Sequence, residues 1–411
     1  MFKHVVQAAI ISGAVLMPVL GVSVARADDE TKQAWRLFVT DQQEGGVTVL
    51  DLEQKSVIDR FATKGYVTHL VPSQSGRTLA AVQMDHDVVN MIDSGIELSS
   101  HRDHSDLEIH DPALLPITIA GKRPVHAVPD HGVFYIFFDG EGAAKVFDEG
   151  DLIAGKSVHK TVTGSAPHHG VVVPKGNYHL ISEPNLAVET KPGSLPPRLG
   201  LKVLDQDGKQ VGPVHTCTGL HGEASSAGVT AFGCEEGVII AYQNGDDAPT
   251  VEMLPYSKDM PEGRVGHLAG GKAMQFFLGD YGSDKLVLID RTEQNPFHLI
   301  NLPVRYVHFI LDPARVTIAY VFTEDGYLHA VDLLDGKIVR SAQITKPYSK
   351  DGHWRDPRPR IAVAGDVVSV TDPREHLVRL VDAETFANKG EIPVDGLPFN
   401  IVALGGSGLS H

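Results

Sequence analysis

Hydrophobic and polar residues alternate in short runs along most of the chain. Examples are residues 35–39, 47–51, 133–138, 285–290 and 377–382, each rich in Val, Ile, Leu, Tyr or Phe and bounded by Gly, Pro or Asp. Period-two alternation over four to eight residues predicts half-buried strands, and the helical period is nearly absent. The chain is therefore expected to be all-β.

The strands come in repeated groups. The pieces Thr68-His-Leu-Val-Pro72, Val125-His-Ala-Val-Pro129, Pro167-His-His-Gly170, Leu220-His-Gly-Glu223, Val265-Gly-His-Leu268 and Val307-His-Phe-Ile310 each open a short strand, a turn and a second apolar strand. Pro359-Arg-Ile-Ala-Val363 and Pro398-Phe-Asn-Ile-Val402 continue the series without histidine. These markers recur at roughly the 40–50 residues of a propeller repeat. The pattern predicts a β-propeller of eight four-stranded blades, with seven as the competing count. The last copy ends before its blade is complete, so the C-terminal segment is expected to pair with the N-terminal strands and close the ring, which removes open sheet edges.

Residues 1–27 read as a secretory signal peptide: Lys3, an apolar run, then Ala25-Arg26-Ala27 as the cleavage signal. Residues 28–411 are expected to form a single propeller domain, with a His-rich loop at 99–112. No other run is long and apolar enough to cross a bilayer. With 36 basic against 52 acidic residues, the formal charge of -16 makes nucleic acid an unsuitable partner. Export places the two cysteines, Cys217 and Cys234, in an oxidising compartment, and their spacing predicts a disulfide across one hairpin.

Histidine carries the candidate chemistry. The loop His101-Arg-Asp-His-Ser-Asp-Leu-Glu-Ile-His110 holds three of the 21 histidines together with three acids. A lone histidine is ordinarily a packed side chain, but six of the eight repeat markers carry one, and a repeat gains nothing structural from imidazole at that position. In a propeller such positions form a ring at one channel mouth. Neutral imidazole and carboxylate suit zinc, which takes four ligands. One ion can be held only from neighbouring blades, so His126, His168 or His169, and His221 are the expected ligands. His101, His104 and His110 are expected to descend onto the same mouth from the preceding insertion. Asp106 and Glu223 are candidates to complete the set or to orient the ligand imidazoles. His69, His267 and His308 would line the rest of the channel.

Taken in order, several motifs resemble the AztD-type periplasmic zinc metallochaperones. They are the leader, the H-x-x-H of His101 and His104 followed by Asp111-Pro-Ala-Leu-Leu115, Arg123-Pro-Val-His126, Pro167-His-His-Gly170 and Leu220-His-Gly-Glu-Ala-Ser-Ser226. Phe232-Gly-Cys-Glu-Glu-Gly237, Gly263-Arg-Val-Gly266 and Phe277-Leu-Gly-Asp-Tyr-Gly282 extend the likeness over most of the chain. The resemblance implies a periplasmic protein that binds zinc without catalysis and hands it to the solute-binding protein of a zinc ABC transporter. A monomer is expected. A metal-dependent propeller hydrolase or redox enzyme is the competing reading, although the chain has no C-x-x-C-H, G-x-S-x-G or H-E-x-x-H. A plain protein-interaction propeller leaves the ring of histidines unexplained.

Overall fold

The computed structural model describes residues 31–100 and 104–409. The expected leader and His101 lie outside the described residues. Eight sheets form a ring, each giving one antiparallel blade, and in blades 2 to 8 the first strand lies at the channel. The blade count is eight, not seven. Blade 2 is typical: His69–Pro72, Thr78–Gln83, Val88–Asp93 and Ala113–Ala120, running outward from the channel. The inner strands of blades 3 to 8 are Pro124–Asp130, Val172–Lys175, His221–Ser226, Leu268–Ala269, Tyr306–Leu311 and Ile361–Ala364.

Blade 1 is closed by both ends of the described chain. Its inner strand is Pro398–Leu409, which pairs antiparallel with Thr31–Asp41 from Asp41↔Pro398 to Thr31↔Leu409. Val47–Asp51 and Ser56–Phe61 complete the blade. The ring is thus zipped at the strand pair that the repeat pattern called for. Among the described residues, no helix is long and apolar enough to cross a membrane.

The core lies between blades, where alternating apolar residues of facing sheets interdigitate. Ala80, Val82, Val89 and Met91 of blade 2 meet Phe134, Ile136, Phe138 and Phe147 of blade 3, all essentially without solvent contact. Burying each such Phe contributes roughly 1.5–3 kcal/mol. Strands that serve two neighbours need apolar residues on both faces, which is why inner segments such as Thr78–Gln83 are buried throughout.

Cys217 and Cys234 form the expected disulfide, but it does not span one hairpin. Cys217 follows the outermost strand of blade 4, Gln210–Thr216, whereas Cys234 follows Val229–Gly233, the second strand of blade 5. Between them the chain crosses inward to lay down His221–Ser226. The bridge therefore joins two blades and pins the crossover that delivers His221 to the channel.

Candidate metal centre

Every inner strand starts at the same channel mouth, so the marker side chains form a ring there. Local backbone irregularity aims them. The strand ladder slips between Pro124 and Ala127, between His221 and Glu223, and between Tyr306 and His308, bracketing or touching a marker histidine each time. An extra residue in a strand turns its neighbours out of the alternating pattern and re-aims a side chain. At the second of these slips Gly222 has φ +72, and a Cβ there would come within 3.0 Å of the Gly266 carbonyl oxygen. That oxygen accepts a hydrogen bond from His221 Nδ1 at 2.6 Å.

Four imidazoles make a continuous arc over blades 2 to 5. His126 Nε2 lies 3.3 Å from His169 Nε2. Ring centroids are 4.8 Å apart for His126 and His169, and 6.2 Å apart for both His69–His126 and His169–His221. His169 Nδ1–H donates to Asp139 Oδ2 at 2.7 Å, which fixes the tautomer and leaves the Nε2 lone pair facing His126. Asp139 is fully buried at the end of Val133–Phe138 and also accepts from the Gly170 backbone N–H. His221, held through Nδ1 by Gly266, likewise keeps its Nε2 lone pair.

This donor set fits zinc. Two nitrogens at 2.0–2.1 Å from one tetrahedral ion are separated by about 3.3 Å, which is the His126–His169 spacing. Carboxylate or carbonyl acceptors behind the distal nitrogens are the usual support for ligand imidazoles. Among the described residues, no three His, Cys, Asp or Glu side chains are already gathered at metal-binding spacing. The nearest further imidazoles along the arc are those of His69 and His221, with ring centroids 6.2 Å from His126 and His169 respectively.

Burial first, and then neighbouring imidazoles, favour the neutral form of His69 and His126, and burial followed by the Arg198 charge acts in the same direction on His221. His126 is pushed well below the usual imidazole value, His69 down to about 4, and His221 is lowered despite the opposing Gly266 hydrogen bond. Neutral rings offer lone pairs to a cation at pH 7. The unfolded chain binds protons that the folded rings refuse, so folding stability is lost as pH falls below about 6.5, down to the folded values. Each of the half-buried His69 and His126 rings costs up to about 1.4 kcal/mol per pH unit in that window, and the exposed His221 much less because solvent screens it. Glu223 acts oppositely: burial pushes its carboxyl up to about 7, so it favours the fold at low pH and offsets one histidine. The zinc-free protein is expected to melt several degrees lower at pH 5 than at pH 7, and a flat profile by calorimetry would contradict the burial of these rings.

The structure divides the histidines chosen from sequence into three groups. His126, His169 and His221 share the arc. His168 does not join it: its Nδ1 bonds the Ala166 carbonyl oxygen and its Nε2 the Ser182 hydroxyl, both at 2.8 Å, and the ring stands edge-on to Phe137. With both nitrogens engaged and no solvent exposure it is a packing residue. The third group lies on the other face of the ring. The 99–112 segment is built largely as a hairpin, Ile96–Ser100 with Ser105–Ile109. It leaves from Asp93, which is level with Thr78 and Pro72, the far end of blade 2 from His69. Its second strand touches Leu409, nine residues along the inner strand from Asn400. At about 3.3 Å per residue the two ends are roughly 30 Å apart. The expected descent of His104 and His110 onto the mouth of His126 is therefore overturned, while His101 lies outside the described residues. His104 pairs with Asp106 at 3.2 Å and His110 with Asp93 at 3.3 Å. Glu223 sits below the arc, and the support expected of it for His221 comes from Gly266. The carboxylate that does hold a ring, Asp139, reads in the sequence only as the first residue of an Asp-Gly turn.

The zinc chaperone AztD of Citrobacter koseri is 44% identical over 412 residues, spanning 100% of this chain and 96% of its own length. A crystal structure of Citrobacter koseri AztD matches with a TM-score of 0.88 at 45% identity, over 92% of this chain and 100% of that one. Apo AztD from the same organism matches at 0.85 and 44% identity, over 92% of this chain and 99% of that one. The dihydro-heme d1 dehydrogenase NirN shares the fold alone, with a TM-score of 0.58 at 15% identity over 89% of this chain and 74% of its own. No family model matches the chain.

Proposed function

Because the chain belongs to the family of the zinc chaperone AztD, we propose that it holds zinc at the channel mouth and passes it directly to the solute-binding protein of a zinc ABC transporter. The chain is a zinc chaperone by family and not an enzyme. The observation that carries the ligand assignment is the 3.3 Å approach of His126 Nε2 to His169 Nε2, with Asp139 behind the second ring. His221 is the third ligand and His69 the alternate donor. Zinc is the cargo, and the protein's residues do three things: they present neutral lone pairs, fix tautomers through Asp139 and Gly266, and leave one coordination position open to the channel mouth. An incoming ligand from an acceptor can enter there before any histidine leaves, so transfer needs no free ion. The leader implies that this takes place in the periplasm.

The histidines His104 and His110 then serve a separate encounter with zinc on the opposite face. The test is transfer from the loaded protein to its cognate solute-binding protein in the presence of a chelator that captures free zinc. Transfer is expected to survive the chelator and to accelerate with acceptor concentration. The His101→Ala, His104→Ala double variant is expected to keep the affinity of the mouth. Transfer abolished by the chelator would contradict direct hand-over.

A further inference from the structure

The other half of the same mouth is built differently. The segment between Gln343 and Ile361 leaves blade 7 and arches over blades 8 and 1. It is tied to blade 2 by Arg355, whose Nη2 donates to Asp85 Oδ1 at 3.0 Å, and to blade 1 by the Gln42 side chain, which donates to the Arg355 carbonyl oxygen. Beneath it lies a cavity of about 760 Å³, of the size that takes a small organic molecule. Its walls combine aromatic rings and cations with the imidazoles of His69, His221, His267 and His308.

Two of those cations lack an anion. Arg360 sits over the Phe399 ring at 4.7 Å, and its guanidinium donates only to the Val307 carbonyl oxygen, at 3.4 Å. Lys350 Nζ lies 3.5 Å from the Tyr306 ring centroid. Among the described residues, neither side chain has a carboxylate within ion-pair distance. Asp280, whose charge acts on Lys350, is already used: Oδ1 accepts from the Gly266 and His267 backbone N–H groups and Oδ2 from the Tyr306 hydroxyl. The Tyr66 hydroxyl is buried on the same wall, with the Gln42 side chain beside it and the Arg355 guanidinium over its ring, and makes no hydrogen bond of ordinary geometry.

Arg358 shows what a purely structural arginine looks like in this segment. Its nitrogens donate to the carbonyl oxygens of Ser349, Lys350, Asp351, His353 and Asp356, and it shapes the arch. Arg360 has the same five donors and spends one. Arg360 and Lys350 are half-buried, and charges partly withdrawn from water are ordinarily paired because their desolvation is otherwise uncompensated. Burial here pushes the Arg360 guanidinium down to about 10 and the Lys350 ammonium to about 8.

We infer that this compartment binds a small organic carboxylate, its anionic oxygens taken by Arg360 and Lys350, the Tyr66 hydroxyl donating to it, and its carbon body lying against the aromatic walls. The arch over the cavity favours a free small molecule over a side chain of a docked protein.

Citrate is a suitable probe, titrated calorimetrically into the zinc-free full-length protein, so that the outcome is independent of whether the histidine arc binds zinc. One saturable site is expected, weakened about tenfold or more by Arg360→Gln, the loss of a charge-assisted hydrogen bond being worth at least that factor. Lys350→Gln lies on the arch outside the strands and guards against a folding defect in the first variant; it is expected to weaken binding as well. Absence of saturable binding, equal binding by both variants, or binding of inorganic phosphate but not citrate would overturn the inference.

Discussion

His169→Ala is expected to weaken zinc binding by about a hundredfold or more, since loss of even a supporting partner of a ligand histidine costs about 10–100-fold. The variant removes one of the two nitrogens that already face each other and strands the buried Asp139 carboxylate. That carboxylate would keep only the Gly170 N–H and the Arg123 guanidinium, the latter 3.8 Å away. Its uncompensated burial should also lower the melting temperature of the zinc-free protein. Asp139→Asn separates the two effects. The amide can accept from Nδ1–H but carries no charge, so affinity should fall within the same 10–100-fold range while the packing is kept. The neighbouring His168→Ala is the control: it leaves a cavity between Phe137 and Ser182 and should cost stability, with a far smaller change in zinc affinity. Competitive titration against a chromophoric chelator reads all three, and equal losses for His168→Ala and His169→Ala would show that the Asp139 dyad is not the organising feature.

Deleting residues 398–411 is expected to abolish the cooperative fold. The strand Pro398–Leu409 is the inner strand of blade 1, and its loss unpairs Thr31–Asp41 along nearly its whole length. It also removes the buried Phe399, Ile401 and Leu404 from the cores on either side, at roughly 1.5–3 kcal/mol each. Asn400, whose side-chain amide donates to the Val67 and Thr68 carbonyl oxygens, is the tie between blades 1 and 2 and goes with it. These losses together approach the ~5–15 kcal/mol that holds a typical domain folded, and the opened ring exposes two sheet edges that invite aggregation. The measurement is soluble yield and calorimetric unfolding of the truncated chain; a monomer with a single sharp transition near that of the parent would contradict closure by this strand pair.

The blade count and the closure were legible because they follow from local alternation and a repeated marker, both written in consecutive residues. The ring of histidines was legible for the same reason. Which of two adjacent histidines faces the channel was not, since His168 and His169 differ only by the turn that precedes Val172–Lys175. The face on which His104 and His110 lie was readable in principle. They follow the third strand after His69, and an odd number of strand crossings ends at the far side from the start. The Cys217–Cys234 pairing was readable, but not that it joins neighbouring blades, and the Asp139–His169 bond likewise joins two repeats, about which spacing within one repeat carries no information.

Crystals of the zinc-loaded protein, measured on either side of the zinc absorption edge, test the central claim most directly. The predicted result is an anomalous peak at the channel mouth between Nε2 of His126 and Nε2 of His169, within bonding reach of His221 or His69. A peak confined to the hairpin of His104 and His110, with none at the mouth, would contradict the assignment.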